Sequence, residues 1–150
     1  MVLMGPAALI LYLLSLDGCE AAPVAARLAG ARWTARHVKA TARRESRCKP
    51  VTVHQGDVWA AERMARKARK VGWLTECQSG YMGVRGSHGL SAAYSLRFLP
   101  PCTDPEALDV PVVSAYAAAR RMHAACKRDR TRGCVRAVWA GRRNYQRRPR

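Results

Sequence analysis

One glutamate in this sequence, Glu45, lies at the end of an apolar stripe and is surrounded by basic and thiol side chains. Counting back from it in steps of three and four gives Ala42, Val38, Ala35, Ala31, Leu28 and Val24. This spacing is that of one helix face, so it predicts that Glu45 belongs to a face that packs inward. Burial disfavours the charged form of a carboxylate and raises its pKa. A carboxyl group that keeps its proton near neutral pH can act as a general acid.

The basic neighbours of Glu45 allow a second interpretation. Arg44 and Arg47 lie beside it in the chain, and a close guanidinium favours the ionised form of a carboxylate. Glu45 would then be a solvated or ion-paired residue at a frayed helix end. The general-acid hypothesis therefore requires both arginine side chains to point outward.

Length and composition predict one mainly α domain with a strongly positive surface. The chain has 150 residues, which fits a single core, and it contains one Phe and many alanines. Such a composition favours closely packed helices over a β-sandwich. The balance of 27 Lys and Arg against 10 Asp and Glu gives a formal net charge of +17. This charge favours polyanionic partners, either nucleic acid or an anionic cell envelope.

The six cysteines predict disulfides and not a metal site. They lie at positions 19, 48, 77, 102, 126 and 134, with no C-x-x-C pair, and the four histidines lack zinc-finger spacing. We therefore expect no metal and no cofactor. An even number of cysteines in a small chain is typical of an oxidising compartment. Cys126 with Cys134, and Cys48 with Cys77, are candidate pairs, although several could be buried thiols.

Residues 2–16 form an almost purely apolar run that is too short for a comfortable transmembrane helix. The run resembles the core of a secretion signal, with Ala21-Ala22-Pro23 near a cleavage site. However, no Lys or Arg precedes it, and Asp17 stands where small residues are expected. An uncleaved first helix packed on the domain is the alternative. The expected organisation is an apolar N-terminal segment over 1–22, a catalytic domain over 23–141 and a basic tail over 142–150.

Proline, glycine and capping residues divide the rest of the chain into helices. Pro23 can open the helix that carries the stripe to Glu45, and Lys49-Pro50 ends it. The segment 51–57 has turn and extended character, and Asp57 can cap the helix that follows. The expected helices after Glu45 cover 58–71, 90–99, 111–126 and 134–140, with a loop-rich stretch over 76–89 and breaks at Gly72, Pro100-Pro101 and Gly133.

Three segments carry a resemblance to a known family. They are Glu45-Ser46, Gly86-Ser87-His88-Gly89-Leu90 and Ala137-Val138-Trp139-Ala140-Gly141. In this order they resemble the catalytic Glu-Ser, the Gly-x-x-Gly-Leu and the Ala-Tyr-Asn-Ala-Gly segments of the lysozyme-like superfamily. The narrower resemblance is to lytic transglycosylases of the soluble and phage-associated type, with goose-type lysozyme as a relative. It covers about residues 24–141, and it departs where Ser91-Ala92 replaces Met-Gln and Val138-Trp139 replaces Tyr-Asn.

The resemblance implies a lysozyme-like helical domain, with a loop-rich middle and a short β element, that degrades peptidoglycan. Glu45 would protonate the glycosidic oxygen between MurNAc and GlcNAc through an oxocarbenium-like transition state. In transglycosylases the same carboxylate then takes a proton from the 6-hydroxyl, and an anhydro product forms. Ser46 would support the carboxylate or the sugar, and Gly89 would let the glycan approach the backbone. The other substrate-binding candidates are Gln78, Ser87, Leu90 and Tyr94.

Other functions fit parts of the sequence. An inverting hydrolase of the same fold would need a second carboxylate, for which Asp57 is the best candidate unless it is only a helix cap. A nucleic-acid-binding protein would use the basic helix 58–71, but the chain lacks an aromatic platform for single strands. A structural virion protein could keep the fold without the chemistry. We expect peptidoglycan strands, the anionic envelope or other virion and envelope proteins as partners, in the periplasm, the cell envelope or a phage tail, with nucleic acid disfavoured.

Overall fold

The predicted mainly α fold is confirmed. The structure, a computed structural model, describes residues 5–50, 52–53, 58–78 and 83–140. These residues contain 3-10 helices at Arg32–Thr34 and Pro105–Asp109. Their other elements, in chain order, are α1 (Pro6–Ser15), α2 (Ala21–Leu28), α3 (Ala35–Ser46), β1 (Thr52–Val53), α4 (Val58–Lys70), β2 (Val84–Arg85), β3 (Leu90–Ser91), α5 (Ala92–Leu96), α6 (Pro111–Cys126) and α7 (Arg132–Trp139).

The prediction of one helix from Pro23 to Glu45 is wrong, because the chain turns between α2 and α3. Gly30 has a left-handed conformation, with φ +66°. The N–H groups of Gly30 and Ala31 donate to the carbonyls of Arg27 and Ala26 at 3.1 and 2.9 Å. These bonds end α2 as glycine commonly ends a helix. Leu28, which the single-helix prediction placed on the inward stripe, is 62% exposed.

Helix α6 is shared by two apolar cores. In the first it packs Ala115, Ala118 and Met122 against α2, α3 and α7. In the second its Ala117 packs with residues of α4 and α5 and with the loops around them, including Ala65, Ala68, Leu74, Leu96 and Leu108. The small alanine side chains let the helices approach closely, as the composition predicts.

A small sheet connects the end of α3 to the middle of the chain. Its strands are antiparallel in the order β1-β2-β3, with Thr52 opposite Arg85 and Arg85 opposite Leu90. Residues 86–89 form the turn between β2 and β3. The predicted helix over 90–99 is therefore shorter than expected, because Leu90 and Ser91 belong to β3 and α5 begins at Ala92. Gly133, predicted to be a break, lies within the first turn of α7.

Three disulfides join the six cysteines. Cys126–Cys134 is confirmed, whereas the predicted pair Cys48–Cys77 is wrong. Cys48 bonds to Cys19, and Cys77 bonds to Cys102. The disulfides fit an oxidising compartment, such as one reached by secretion.

Helix α1 is apolar but buries none of its residues. Only Leu13 of this helix packs, partly buried, against the first core, while Leu9, Ile10, Leu11 and Leu14 are exposed. Among the helices of the described ranges, none combines the length and the apolar character needed to cross a bilayer. The predicted basic tail over 142–150 lies outside the described residues.

Candidate functional site

Glu45 lies in the last turn of α3, at the edge of the domain and not in its core. The buried face of α3 stops at Ala42, and the Glu45 side chain is 34% exposed. Its Oε1 lies 3.4 Å from Arg44 Nε. The prediction of a buried carboxylate is therefore wrong for this structure. Glu45 has the solvated, ion-paired environment of the second interpretation, and such exposed pairs add little stability.

The turn after Glu45 is held rigidly in place. Arg47 and Cys48 both have left-handed conformations, with φ 54° and 67°. The Cys48 N–H donates to the Ala42 carbonyl at 3.1 Å, and the Cys48 carbonyl accepts from the Gly18 N–H at 2.9 Å. Together with the Cys19–Cys48 disulfide, these bonds fix the end of α3 to the chain that leads into α2.

The turn between β2 and β3 packs directly on Glu45. A Cβ atom at Gly89 would lie 2.7 Å from Glu45 Oε2 and 3.2 Å from its Cδ, and Gly89 has φ +61°. Ser46 Oγ lies 2.9 Å from the Ser87 carbonyl and 3.2 Å from the Ala42 carbonyl, so its proton ties α3 to this turn. Glycine is therefore required at position 89 because the Glu45 carboxylate lies close to its backbone, which has a left-handed conformation.

Trp139 brings the C-terminal segment to the same place. Its Nε1 donates to the His88 carbonyl at 2.9 Å. Trp139 and Glu45 line one open cavity of about 270 Å³, together with Arg44, Arg136 and Ala140. The structure thus brings together three segments that are far apart in the sequence: Glu45-Ser46, the turn over 86–89 and the end of α7.

A buried polar cluster, formed by Ser87, His88 and Ser114, stabilises the turn between β2 and β3. Ser87 Oγ lies 3.1 Å from both His88 Nδ1 and Ser114 Oγ. Burial lowers the pKa of His88 to about 4, and the backbone carbonyl of Val38 opposes this effect only in part. His88 is therefore neutral at pH 7. Because Ser87 and His88 are fully enclosed, the cluster holds the turn in place and is not a nucleophile with its base.

Arg121 supports Trp139 from the side of α6. The guanidinium carbon of this buried residue lies 4.7 Å from the centroid of the Tyr94 ring and 5.3 Å from that of Trp139. Burial lowers the pKa of Arg121 to about 10, and the interaction with Tyr94 opposes this. Tyr94 is half-buried behind Arg121 and is not among the residues that line the Glu45 cavity. Its predicted role in substrate binding stays a prediction, and its ring contacts Arg121 and Trp73.

Three predicted substrate-binding residues, Gln78, Ser87 and Leu90, are buried, and their predicted roles in substrate binding stay predictions. The Gln78 amide accepts from Thr75 N at 3.0 Å and donates to the Thr103 carbonyl at 3.3 Å, which stabilises the loop near Cys77–Cys102. The Ser87 hydroxyl belongs to the buried cluster, and Leu90 is a buried residue of β3. Asp57, the candidate second carboxylate, lies outside the described residues.

A second and larger cavity, about 590 Å³, adjoins the first between α3 and α7. The two cavities share Arg44 and Arg136 in their walls. The sequence did not predict this feature, because nothing in it indicates that the arginines of α3 and α7 face one another. The available signal was the spacing of the arginines: Arg43 follows Arg36 at i+7 on α3, and Arg136 follows Arg132 at i+4 on α7, so each pair lies on one helix face.

No group in the described part of the chain is suited to hold a metal. Asp17, Cys19 and Cys48 do bring donor atoms within 4.8 Å of one another. However, both thiols belong to a disulfide, and Asp17 Oδ1 accepts from the N–H groups of Cys19 and Glu20. Asp17 therefore stabilises the turn that leads into α2, and the two sulfur atoms are used by the disulfide.

Comparison with family models, with curated proteins and with solved structures finds no match to this chain.

Proposed function

We propose that this protein is a lytic transglycosylase that cleaves the glycan strand of peptidoglycan at the MurNAc–GlcNAc bond, with Glu45 as the general acid and base. The observation that carries the proposal is that Glu45 and Trp139 line one cavity while the backbone of Gly89 lies directly against Glu45. The resemblance rests on the segments that contain these three residues, and the proposal is supported by the contacts that join these segments in the fold.

The open position of Glu45 is compatible with acid catalysis once a glycan is bound. A sugar in the cavity would displace water from the carboxyl group, and this desolvation favours the protonated form. Arg44 opposes that effect while it remains at 3.4 Å. Its side chain is 41% exposed, so it can turn into solvent when the glycan enters. Catalytic hydrogen bonds commonly become well aligned only in the complex with substrate.

A single carboxylate favours transglycosylation over hydrolysis. Glu45 is the only acidic residue among the described residues that line its cavity. Its proton goes to the glycosidic oxygen as the bond from C1 of MurNAc to that oxygen breaks. The 6-hydroxyl of the same MurNAc then attacks C1 and returns its proton to Glu45. The products are a free GlcNAc end and a 1,6-anhydro-MurNAc end, and no second carboxylate is needed to activate water.

The disulfides and the net charge of the protein are compatible with the place where peptidoglycan is found. The disulfides fit a compartment outside the cytosol, where peptidoglycan lies, so the periplasm, the cell envelope or a virion is the proposed location. The net charge of +17 favours approach to an anionic envelope.

The test of this proposal is the mass of the sugars released from purified sacculi. We expect the protein to release muropeptides that end in 1,6-anhydro-MurNAc, which are lighter by one water than the products of a muramidase. Products with reducing MurNAc ends would instead identify a hydrolase of the same fold. The absence of any soluble sugar product would contradict both activities.

A further inference from the structure

The larger cavity is a groove whose walls are dominated by guanidinium groups. Helix α3 contributes Arg36, Arg43 and Arg44, and helix α7 contributes Arg132 and Arg136. No acidic side chain lines it in the part of the chain that the structure describes. We call this feature the arginine groove.

The positive charges of the arginine groove are not balanced within the described residues. Arg44 contacts Glu45, but Arg36, Arg43, Arg132 and Arg136 make no ion pair and no side-chain hydrogen bond there. All four are exposed, so solvent and a ligand can reach them. Like charges held around one groove repel each other, and a bound oxyanion would relieve that repulsion. Guanidinium groups also bind carboxylates through paired, charge-assisted hydrogen bonds.

His37 adds an unsatisfied polar group to the same groove. The residue lines the groove and is only 7% exposed. Its Nε2 is buried and has no hydrogen-bond partner in the structure described. Because His37 is part of the groove wall, the NMR signals of its ring can report a ligand that binds there.

We propose that the arginine groove is a subsite for the carboxylates of the peptide stems on the glycan strand held at Glu45. The inference rests on the proposed function. The two cavities share Arg44 and Arg136, so a strand in the smaller cavity would place its substituents within reach of the larger one. The sugars of the strand are uncharged where a peptide is attached, and the carboxylates of the stem are its negative groups. The subsite therefore selects glycan that still carries its peptides.

Binding to an inactive variant tests the proposal directly. The background is Glu45→Gln, so that the ligand is not consumed. In it, the groove pair Arg36→Gln with Arg132→Gln removes two exposed charges that line only the arginine groove. The control pair, Arg66→Gln with Arg128→Gln, removes two exposed charges elsewhere. The ligands are GlcNAc-MurNAc with a tripeptide stem and the same disaccharide without a peptide and with its lactyl carboxyl group amidated, so that it carries no charge, measured by calorimetry and by the NMR signals of His37.

We expect the groove pair to weaken binding of the peptide-bearing ligand about tenfold, as loss of charge-assisted hydrogen bonds predicts. The control pair should change it by less than about twofold, the scale of exposed charges. The peptide-bearing ligand should also shift the His37 signals. Binding of the peptide-free disaccharide should be the same in both pairs. Equal loss in both pairs, or no loss in the groove pair with unchanged His37 signals, would overturn the proposal.

Two further results separate the possible failures. If inorganic pyrophosphate shifts the His37 signals and binds more tightly than the peptide-bearing ligand, the groove is a phosphate site and the carboxylate assignment is wrong. If the unmodified protein releases no sugar from sacculi while the peptide-bearing ligand still binds the groove, the proposed function fails and the subsite stands. If it releases anhydro sugars and the groove pair binds the peptide normally, only the subsite fails.

Discussion

At the scale of single residues, the contact between Gly89 and Glu45 allows the proposed catalytic role of Glu45 to be tested. Gly89→Ala would place a methyl group 2.7 Å from Glu45 Oε2, so the carboxylate must move. The left-handed backbone adds a cost of about 1–2 kcal/mol for a residue with a Cβ. We expect a modest loss of stability and a much larger loss of sugar release from sacculi, measured on the same preparation.

Gly30→Ala is the matched control for this substitution. Gly30 has nearly the same φ, +66°, but nothing lies within 4 Å of an added Cβ. The Gly30→Ala variant should lose a similar free energy of unfolding to the Gly89→Ala variant and should release sugar at the unmodified rate. If both variants lose activity in proportion to stability, the Gly89 contact has no catalytic meaning.

The lowered pKa of His88 should make the free energy of unfolding depend on pH. Its pKa is about 4 in the folded protein and near 6.5 when unfolded, so the unfolded chain binds the proton more readily. Its contribution is fully present above pH 6.5 and is lost as the pH falls towards 4. A difference of this size corresponds to about 3 kcal/mol. Urea unfolding at pH 7.5 and at pH 4 should show this loss.

The substitution His88→Gln should make the pH dependence of unfolding smaller, even though it destabilises the protein at pH 7.5. The pKa values of His37 and His123 are also lowered, mainly by burial, so some dependence in the same direction will remain. An unchanged pH dependence in this variant would contradict the assignment to His88.

The residue pattern predicted the identity of the candidate acid but not its surroundings. The apolar spacing correctly identified Ala42 and Val38 as buried residues of the face below Glu45. It could not predict that α3 ends at Ser46, which leaves Glu45 beyond the core. The contact with Gly89 depends on a turn 44 residues later in the chain, and helical periodicity carries no information about it.

At the scale of elements, the Cys19–Cys48 disulfide holds the end of α3 against the start of α2. The bond closes a segment with a sequence separation of 29. Replacing both cysteines with alanine should lower the free energy of unfolding by about 3–4 kcal/mol on the chain-entropy account. Because it also frees the turn after Glu45, it should reduce sugar release at temperatures where the variant remains folded.

The pair Cys126–Cys134 provides the control, since its sequence separation is only 8 and it joins α6 to α7. Its removal should cost about 1 kcal/mol less on the same chain-entropy account. Urea unfolding and sugar release measure both effects. A larger effect from the shorter link, on both stability and activity, would contradict the role given to Cys19–Cys48.

Element boundaries were predictable where local chemistry determines them. Helix α6 covers Pro111–Cys126, the bounds predicted from the sequence, and proline stands at its start, where its missing N–H costs no helical hydrogen bond. The predictions failed where tertiary contacts decide the boundary. Leu90 and Ser91 were placed in a helix, but pairing with β2 makes them a strand. The link from Cys48 to Cys19 was not predictable, because sequence spacing does not determine which cysteines meet.

At the scale of the whole molecule, part of the large positive charge is concentrated around the arginine groove. The composition predicted an affinity for polyanions, and the structure places five of the arginines around one groove beside Glu45. Helices α3 and α7 are far apart in the sequence, so only their packing against α6 creates that groove. The same packing brings Trp139 to Glu45. Both the groove and the cleft are thus consequences of the fold, which composition alone could not predict.

The most direct test of the central claim is the rate at which the Glu45→Gln variant releases soluble sugar from purified sacculi. We expect this rate to fall by about 10²–10⁴-fold relative to the unmodified protein, the usual contribution of a general acid, with the thermal unfolding curve unchanged. The control Glu62→Gln, at an exposed glutamate on α4, should keep full activity. A Glu45→Gln variant that releases sugar at the unmodified rate would contradict the proposal that Glu45 is the catalytic acid.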